Sequence, residues 1–327
     1  MGPLLAAPMV GITHAAFRSL VEEYSPADLY YSEMISAGRY LNGSPWEESY
    51  ADGAPDGERM VFQLTGSDPD ILIAAANKLV RRPGYGVDIN MGCSAPNIRA
   101  KEQGVVWMER PEAAARLIER LRRTLPAERR VSAKLRLGER EDPEKLLRFC
   151  RGLQEAGADF LVLHPRTRKQ TLSRPARWDL FADLAAQVSI PIYGNGDIDT
   201  ATALQKRINS GAAGFMVGRA LVSRPWVLAE LRGESLRIDR LAAGMRFLEL
   251  CKLHLPIDFL PSRIKRFFFY YCDSLRFGHR LKFDIQNNPD PAAVSPALEA
   301  YFERNPGERT IYTGSARRIS VYNAGGG

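Results

Sequence analysis

Residues 86–97, Gly-Val-Asp-Ile-Asn-Met-Gly-Cys-Ser-Ala-Pro-Asn, form an apolar, strand-like run that ends on a lone cysteine, Cys93, held between glycine and small residues. Four later strand-like runs also end on side chains that can bind or react, namely Lys134, His164, Asn195 and the pair Gly218-Arg219. The strands of a parallel barrel end at one rim, where functional side chains gather. We therefore expect Cys93 and the other strand-end residues to lie together at one end of such a barrel.

Short β-rich runs alternate with helix-like stretches over the first two thirds of the chain, and this pattern predicts parallel strands with helical crossovers. Eight runs are predicted strands, near residues 4–8, 28–34, 60–64, 86–90, 131–137, 160–164, 190–194 and 214–217. Residues 38–58 carry several Gly and Pro and are predicted to form a loop. The predicted fold class is α/β, a TIM (β/α)8 barrel followed by a smaller all-helical domain.

Capping and first-turn residues mark the helix starts, for example Ser67-Asp68-Pro69 before a predicted helix at residues 71–80. Similar signals predict helices at residues 113–125 and 145–156. After about Leu236 the β signal fades, and residues 241–255 and 262–275 have helical patterns. We expect a barrel domain over residues 1–235 and a helical domain over residues 236–327.

Composition and charge are those of an ordinary globular protein. Of the 327 residues, 45% are hydrophobic and 25% are charged, and no apolar run is long enough to span a bilayer. The first residues lack the basic region of a secretory signal. The four cysteines, Cys93, Cys150, Cys251 and Cys272, form no Cys-x-x-Cys pair, which argues against a metal site. We expect a cytoplasmic monomer that binds neither metal nor membrane, and the net charge of +7 suits a polyanionic partner.

Two cations share one face of the fifth predicted strand. Strand alternation directs Lys134 and Arg136 to the same side. If that side faces the barrel interior, the cost of burying two cations implies a ligand with negative charge. If it faces outward, both are simply solvated, and the sequence leaves the two possibilities equal.

Other strand ends carry weaker signals. Pro8-Met9-Val10 with Gly11 could form a turn that passes beneath a flat ring, and the Gln63 amide could bond a ring edge. Each could equally be an ordinary strand end. His164 could be a satisfied core histidine, but its neighbours Arg166 and Arg168 favour a functional role.

Glycine turns follow the seventh and eighth predicted strands, at Asn195-Gly196-Asp197 and Gly218-Arg219. Barrels of this kind commonly bind phosphate at these two positions through backbone N–H groups. The guanidinium of Arg219 can add a charge-assisted contact. We therefore expect a phosphate site here, whereas no Gly-x-Gly-x-x-Gly motif indicates a Rossmann dinucleotide site.

In this order and spacing the motifs resemble those of the tRNA-dihydrouridine synthases. They are Ala7-Pro8-Met9, Ser32-Glu33-Met34, Gln63 to Pro69, Asp88 to Cys93, Lys134 to Gly138, His164 to Thr167, Gly194 to Ile198 and Gly218-Arg219. The resemblance spans about residues 4–230. It implies a barrel that binds flavin mononucleotide (FMN) and a helical domain that helps to hold tRNA.

The resemblance also implies roles for single residues. Reduced FMN, recharged by NADPH, would give a hydride to C6 of a uracil turned out of the tRNA, and Cys93 would protonate C5. A thiol suits this task because it keeps its proton near neutral pH and releases it as carbanion character develops. The implied cofactor-binding residues are Pro8, Met9, Val10, Gln63, Lys134, His164, Asn195, Gly196, Asp197, Gly218 and Arg219. The implied substrate-binding residues are Asn90, Arg136 and Arg166.

A basic, aromatic segment near the C-terminus supports an RNA partner independently of the barrel. The candidate tRNA-binding cations are Arg263, Lys265, Arg266, Arg276, Arg280 and Lys282. They surround five consecutive aromatic residues, 267–271. We expect these aromatic residues to lie mostly inside the helical core and the cations to contact the RNA.

Two other functions stay open from the sequence. A flavin barrel acting on a free pyrimidine, similar to the dihydroorotate dehydrogenases, would share the phosphate turns but need no basic helical domain. A barrel that binds RNA without catalysis would keep the basic segment and lose the flavin.

Overall fold

The computed structural model describes residues 1–170, 174–288 and 290–314. The chain forms two compact units. The first comprises Met1–His14, Asp28–Ile198 and Gln205–Gly218, and the second comprises Ala15–Ala27, Asp199–Leu204 and the described residues from Arg219 onward. The domain boundary expected at residue 235 stays a prediction.

A closed parallel barrel forms the first unit. Its strands are β1 (Leu4–Ala6), β2 (Leu29–Tyr31), β3 (Ile35–Ser36), β4 (Met60–Thr65), β5 (Gly86–Met91), β6 (Arg130–Leu135), β7 (Phe160–Leu163), β8 (Ile192–Asn195) and β9 (Gly214–Val217). The strand order is β2-β1-β9-β8-β7-β6-β5-β4-β3, and an additional β2–β4 pairing closes the ring. The short β3 pairs with the end of β4. Without β3 the closed ring has eight strands, so the predicted eight-stranded barrel is confirmed.

Apolar side chains fill the barrel below its functional rim. Leu5, Val61, Val162 and Met216 belong to one buried cluster. Because side chains alternate along a strand, the residue two positions further on points to the same side, nearer the carboxyl end. Gln63 follows Val61 in this way, and His164 follows Val162. The same period of two therefore builds the core and then supplies the polar side chains above it.

The helices, in chain order, are α1 (Ala15–Glu22), α2 (Ala37–Leu41), α3 (Pro45–Tyr50), α4 (Pro69–Leu79), α5 (Pro96–Arg99), α6 (Pro111–Thr124), α7 (Pro143–Glu155), α8 (Leu180–Ala185), α9 (Ala201–Gln205), α10 (Arg219–Ser223), α11 (Val227–Arg232), α12 (Arg240–His254), α13 (Leu260–Tyr271), α14 (Gly278–Asn287) and α15 (Val294–Arg304). Asp68 and Asp142 cap α4 and α7 by accepting hydrogen bonds from backbone N–H groups, as their positions in the sequence predict.

The prediction that residues 38–58 form a loop is wrong, because α2 and α3 occupy about half of this segment. Pro45 stands in the first turn of α3, where its missing N–H group costs no hydrogen bond. Glu47 and Glu48 follow in the same turn and favour the helix start. Gly43 has a φ of +73° and turns the chain between the two helices. Gly and Pro here delimit helices instead of excluding them.

The second unit is mainly helical, with one antiparallel pair formed by β10 (Arg237–Asp239) and β11 (Thr310–Tyr312). Its core is aromatic: the Phe267 ring stacks on Phe247 at 3.7 Å between centroids and on Tyr271 at 5.2 Å. The expected helices at residues 241–255 and 262–275 correspond to α12 and to α13 with the 3-10 turn that follows it. Among the described residues, no helix has the length and apolar character needed to cross a membrane.

Candidate active site

A cavity of about 160 Å³ lies at the carboxyl ends of the barrel strands. It is lined by Pro8, Val10, Met34, Gln63, Asn90, Gly92, Cys93, Lys134, Arg136 and His164. Eight of these ten residues are candidates from the sequence. The structure therefore brings the strand ends to one site, and it answers the question about Lys134 and Arg136, because both line the cavity instead of facing outward.

A chain of hydrogen bonds runs from the barrel interior to Cys93. The buried Asp88 carboxylate accepts from the Ser132 hydroxyl at 2.7 Å and from Gln63 Nε2 at 2.8 Å. Gln63 Oε1 accepts from Asn90 Nδ2 at 2.9 Å. Asn90 Oδ1 in turn accepts from the backbone N–H of Cys93 at 2.9 Å. Each link fixes the next, so the two amides and the backbone of Cys93 are held in one orientation.

The carboxylate of Asp88 sets the direction of this chain. An ionised carboxylate only accepts hydrogen bonds, so Gln63 must present its NH2 group to Asp88 and its oxygen to Asn90. Burial raises the pKa of Asp88 to about 6, although the hydrogen bonds from Ser132 and Gln63 and the charge of Lys134 oppose the rise. Near neutral pH the group is therefore ionised and both neighbours donate to it.

Replacing Asp88 by leucine is expected to reduce turnover roughly 10- to 100-fold, because Gln63 and Asn90 lose the acceptor that orients them and Cys93 loses its fixed backbone. Asp88→Asn is the matched control. Its side-chain oxygen can accept from Gln63 while its NH2 group donates to the Ser132 hydroxyl, so turnover should stay near that of the wild type. Steady-state kinetics of the two variants measure the difference. Equal turnover of Asp88→Leu and Asp88→Asn would contradict the role of Asp88 in orienting Gln63 and Asn90.

The same asparagine variant tests the pKa of Asp88. The folded-state pKa lies above the ordinary value of 3.8, so between about pH 4 and pH 6 the folded protein binds more protons than the unfolded chain. This residue should therefore lower the free energy of unfolding by about 3 kcal/mol as the pH rises through that window. Urea unfolding of Asp88→Asn should lack this decline relative to wild type.

Lys134 carries the positive charge at the centre of the site. Its Nζ donates to Asn195 Oδ1 at 3.2 Å, and Asn195 Nδ2 donates to the carbonyl of Met216 at 2.8 Å. Loss of water contact and, to a smaller extent, the neighbouring Arg136 lower the pKa of Lys134 to about 8, against the opposing charges of Asp88 and Cys93. Two cations that share one cavity create a site for an anionic ligand.

The half-buried thiol of Cys93 lies under a loop that approaches it closely. The Val105 N–H donates to the Cys93 carbonyl at 2.9 Å. Gly104 adopts a φ of +65°, and a Cβ added there would lie 2.4 Å from that carbonyl oxygen, so glycine is required. Trp107 Nε1 donates to the Gly66 carbonyl at 2.9 Å and fastens the loop to the end of β4.

His164 is held from behind by an ion pair. The guanidinium of Arg166 donates to His164 Nε2 at 2.9 Å and to both carboxylate oxygens of Asp197 at 2.7 Å. Because a guanidinium cannot accept a hydrogen bond, His164 Nε2 is the acceptor in this contact. Burial opposes ionisation of Asp197, but hydrogen bonds from Arg166 and Ala176 outweigh it and lower the pKa of Asp197.

This arrangement involves two of the candidates. Arg166 is 1% exposed, and neither it nor Asp197 is among the residues that line the cavity. The structure engages their side chains with each other and brings the Arg166 guanidinium to His164. The expected contacts of Arg166 with substrate and of Asp197 with cofactor stay predictions.

The remaining barrel candidates are not among the residues that line the cavity. Met9 is partly buried and packs against the apolar cluster of the barrel. Gly196 has a φ of +116°, and a Cβ there would lie 2.9 Å from the ring of His164, so the turn after β8 requires glycine. Gly218 follows β9, and Arg219 begins α10 as an exposed residue of the second unit.

The candidate tRNA-binding cations lie on α13, α14 and the segment between them. Some are engaged within the protein: Arg280 pairs with Asp284 at 3.0 Å and Lys282 with Asp273 at 2.8 Å. Arg276 lies over the ring of Phe277 at 5.3 Å. The others, Arg263, Lys265 and Arg266, are on α13 itself.

Sequence reasoning assigned no role to Asp88 or Ser132, although both belong to the site. A signal was present, because Asp88 precedes Asn90 by two residues and Ser132 precedes Lys134 by two, which places each on the inward side of a strand. Polar residues at buried, inward positions must find partners. Among the described residues, no group of three or more His, Cys, Asp or Glu side chains is placed to hold a metal ion.

Comparison with known proteins identifies the family. The family model described as dihydrouridine synthase matches residues 4–257. A protein of Rhodobacter capsulatus named "Probable tRNA-dihydrouridine synthase" is 36% identical over 231 residues, which cover 70% of this chain and 70% of that protein. The tRNA-dihydrouridine(16) synthase of Cupriavidus necator is 34% identical over 240 residues, with coverage of 71% and 74%.

A likeness to a solved structure concerns the fold alone. A morphinone reductase variant in complex with tetrahydroNAD aligns with a TM-score of 0.53 at 11% identity, over 70% of this chain and 86% of that one. The family model covers most of the chain, and each of the two relatives covers more than two thirds of it. The chain belongs to the dihydrouridine synthase family.

Proposed function

We propose that this protein is an FMN-dependent enzyme that reduces a uridine of tRNA to 5,6-dihydrouridine with NADPH as the reductant. The observation that carries the proposal is the cavity itself, in which the Cys93 thiol lies with two cations and two oriented amides at the carboxyl rim of the barrel. The membership of the dihydrouridine synthase family and the names of the relatives support the same reaction.

The residues present fit a flavin. Lys134 is a cation deprived of water, and neither its hydrogen bond to Asn195 nor its neighbour Arg136 neutralises it, so the cavity favours an anionic ring. Gln63 is held by Asp88 with a defined donor and acceptor direction, which suits the edge of a heterocycle. His164 lines the same cavity. When bound, the reduced flavin supplies a hydride for C6 of the uracil, and NADPH restores it.

Cys93 gives its thiol proton to C5 of the uracil as the hydride reaches C6. The C5–C6 double bond becomes a single bond, and the thiolate left behind regains a proton from solvent. Asn90 fixes the backbone of Cys93 through Oδ1, while its amide group lines the cavity and can bond the uracil edge. Arg136 can bond a uracil carbonyl oxygen from the same side.

The cofactor phosphate is assigned to the turns that follow β8 and β9. These strands are adjacent and pair in parallel, with Asn195 opposite Met216. The glycine at Gly196 and the partly exposed Gly218 let the two turns present backbone N–H groups. Arg219 follows at once with a guanidinium that can pair with a phosphate.

The helical unit is proposed to hold tRNA. The relatives are named as tRNA-dihydrouridine synthases, and the segment from residue 260 to residue 288 contains six Lys or Arg against two acidic residues. Of the five consecutive aromatic residues 267–271, which we expected mostly inside, Phe267, Phe268 and Tyr271 are buried and Phe269 is exposed. Arg266 is exposed and the Lys265 ammonium donates to a neutral carbonyl, so the charges of these two cations can serve phosphates.

Affinity for tRNA should depend steeply on salt. If about five phosphates are contacted, the logarithm of the association constant should fall against the logarithm of salt concentration with a slope of about −3 to −4, from roughly −0.7 per contact. Filter binding of an unmodified tRNA transcript at several salt concentrations measures the slope. A slope near zero would refute phosphate binding by the helical unit.

Two measurements separate the proposed function from its alternatives. A purified yellow protein with flavin absorbance is expected, and an RNA-binding barrel without catalysis would lack it. Oxidation of NADPH should then be accompanied by reduction of unmodified tRNA and not of orotate. Reduction of orotate without reduction of tRNA would instead favour an enzyme that acts on a free pyrimidine.

A further inference from the structure

A second cavity, of about 370 Å³, lies in the helical unit between α13 and α14. We call it the α13 groove. Its lining residues are Ser262, Lys265, Arg266, Phe269, Tyr270 and Gln286. The first five recur along α13 at intervals of three and four residues, so they form one face of the helix. Gln286 closes the groove from α14, where its Nε2 donates to the carbonyl of Lys265 at 2.7 Å.

Phe269 is not needed for the core of the helical unit. The opposite face of α13 supplies the core through Phe267, Phe268 and Tyr271, whose rings contact one another at 5.1–5.7 Å. The Phe269 ring is 44% exposed and stands at 80° to Tyr270, with 5.3 Å between centroids. The Phe269 ring is therefore accessible at the surface of the groove, next to Tyr270.

The cations of the α13 groove lack anionic partners. Lys265 Nζ donates to the neutral carbonyl of Gln286 at 3.0 Å. Arg266 is exposed, and within the described part of the chain it forms no ion pair. No Asp or Glu is among the described residues that line the groove. In contrast, Lys282 on α14 pairs with Asp273. The groove thus combines an open aromatic surface with positive charge that the protein does not neutralise.

Phe269 is held in place from outside the groove. Lys282 Nζ lies 3.6 Å from the centroid of the Phe269 ring, which is a cation–π contact, and Lys282 is not among the lining residues. The ring is therefore fixed before any ligand arrives. A fixed ring loses little conformational freedom when a planar partner stacks on it.

We propose that the α13 groove binds one unpaired nucleotide of RNA, with its base stacked on Phe269 and its phosphate at Lys265 and Arg266. A nucleotide carries a flat aromatic base close to a negatively charged phosphate. The groove offers an exposed aromatic ring for the base and two cations for the phosphate. This site lies wholly within the helical unit and is separate from the cavity that contains Cys93. The proposal rests on the proposed function only in taking tRNA as the source of the nucleotide.

Binding measurements on the full chain test the groove. The probes are a short single-stranded RNA that carries 2-aminopurine and an unmodified tRNA transcript. Phe269→Ala should weaken binding of the short RNA roughly tenfold and reduce the quenching of 2-aminopurine, since loss of one stacking contact has about that effect. Phe269→Tyr should restore both. Phe283→Ala is the matched control, because that phenyl ring on α14 is 60% exposed and does not line the groove; its affinity should equal that of the wild type.

Several outcomes would overturn the proposal. They are wild-type affinity of Phe269→Ala, equal losses in Phe269→Ala and Phe283→Ala, and displacement of the RNA by an acidic peptide at equal charge concentration, which would indicate a protein partner. Dihydrouridine measured in the same preparations separates this proposal from the function. If the wild type forms dihydrouridine but Phe269→Ala binds the short RNA normally, only the groove proposal is refuted. If Phe269→Ala loses RNA binding but the wild type forms no dihydrouridine, only the proposed reaction is refuted.

Discussion

Replacing Cys93 by alanine is expected to lower dihydrouridine formation by about 10²- to 10⁴-fold, the range for loss of a positioned proton donor. The Asn90 bond to residue 93 uses the backbone N–H and survives the change. Lys134, Gln63 and the glycine turns are untouched, so the flavin absorbance should persist. The measurement is single-turnover reduction of unmodified tRNA by the prereduced protein, with the flavin spectrum recorded in parallel.

Cys150→Ala is the matched control for this substitution. Cys150 is fully buried in α7 and lies outside the cavity, so turnover should stay within a factor of about two of the wild-type value while stability falls slightly. Cys93→Ser should recover little, because a hydroxyl is a far weaker acid than a thiol. Unchanged turnover in Cys93→Ala would refute its role as proton donor.

Replacing Lys134 by methionine is expected to lower turnover by about 100-fold or more and, at the same time, to stabilise the folded protein. Turnover falls because the cation that faces the developing negative charge is lost. Stability rises because the folded-state pKa of about 8 lies below the ordinary value of 10.5, so at pH 7 the folded chain bears the cost of holding this proton. The gain is about 2 kcal/mol, since the lost hydrogen bond to Asn195 offsets part of it.

The pH dependence gives the same prediction a second test. Between about pH 8 and pH 10.5 the unfolded chain keeps the Lys134 proton that the folded chain releases, so the free energy of unfolding should rise with pH in the wild type. Lys134→Met should lack this rise. Lys145→Met is the control, because Lys145 is exposed on α7 and pairs with Glu109, and it should change neither turnover nor this pH dependence. A Lys134→Met variant that is both active and less stable would contradict the account.

The rim of the barrel could be predicted from the sequence because each strand repeats the same rule. An apolar residue fills the interior, and two positions later a polar residue reaches the carboxyl end, as with Val61 and Gln63 or Val162 and His164. This rule is local and needs no knowledge of which strands are neighbours. It gathered the strand ends, Cys93 among them, at one rim, whereas the inward direction of Lys134 and Arg136 was left open and is given by the structure.

Contacts between strands could not be predicted in the same way. Gln63 meets Asp88 because β4 and β5 pair with these two residues opposite each other, and that register is set by the whole barrel. The direction of the hydrogen-bond chain then depends on the ionisation of a buried carboxylate, which no pattern of residue types reveals. The sequence therefore showed that Asp88 belongs to a motif, but it did not show that Asp88 orients the hydrogen bonds that lead to Cys93.

Arg166 shows a different limit. Its place after His164 suggests a ligand contact, which stays a prediction, but its partner could not be foreseen: the turn after β8 presents Asp197 at a φ of +54°, and Asp197 pairs with the guanidinium. A cation near a site is bound by the strongest anion within reach, and that anion comes from a segment more than thirty positions away. The loop predicted at residues 38–58 failed for a simpler reason, because proline in a first helical turn permits a helix.

The most direct test of the central claim is to incubate the purified chain with an unmodified tRNA transcript and NADPH and to map dihydrouridine nucleotide by nucleotide. We predict dihydrouridine at a defined uridine, formed in proportion to the NADPH consumed and abolished in Cys93→Ala. Consumption of NADPH with every uridine of the tRNA left intact would contradict the account.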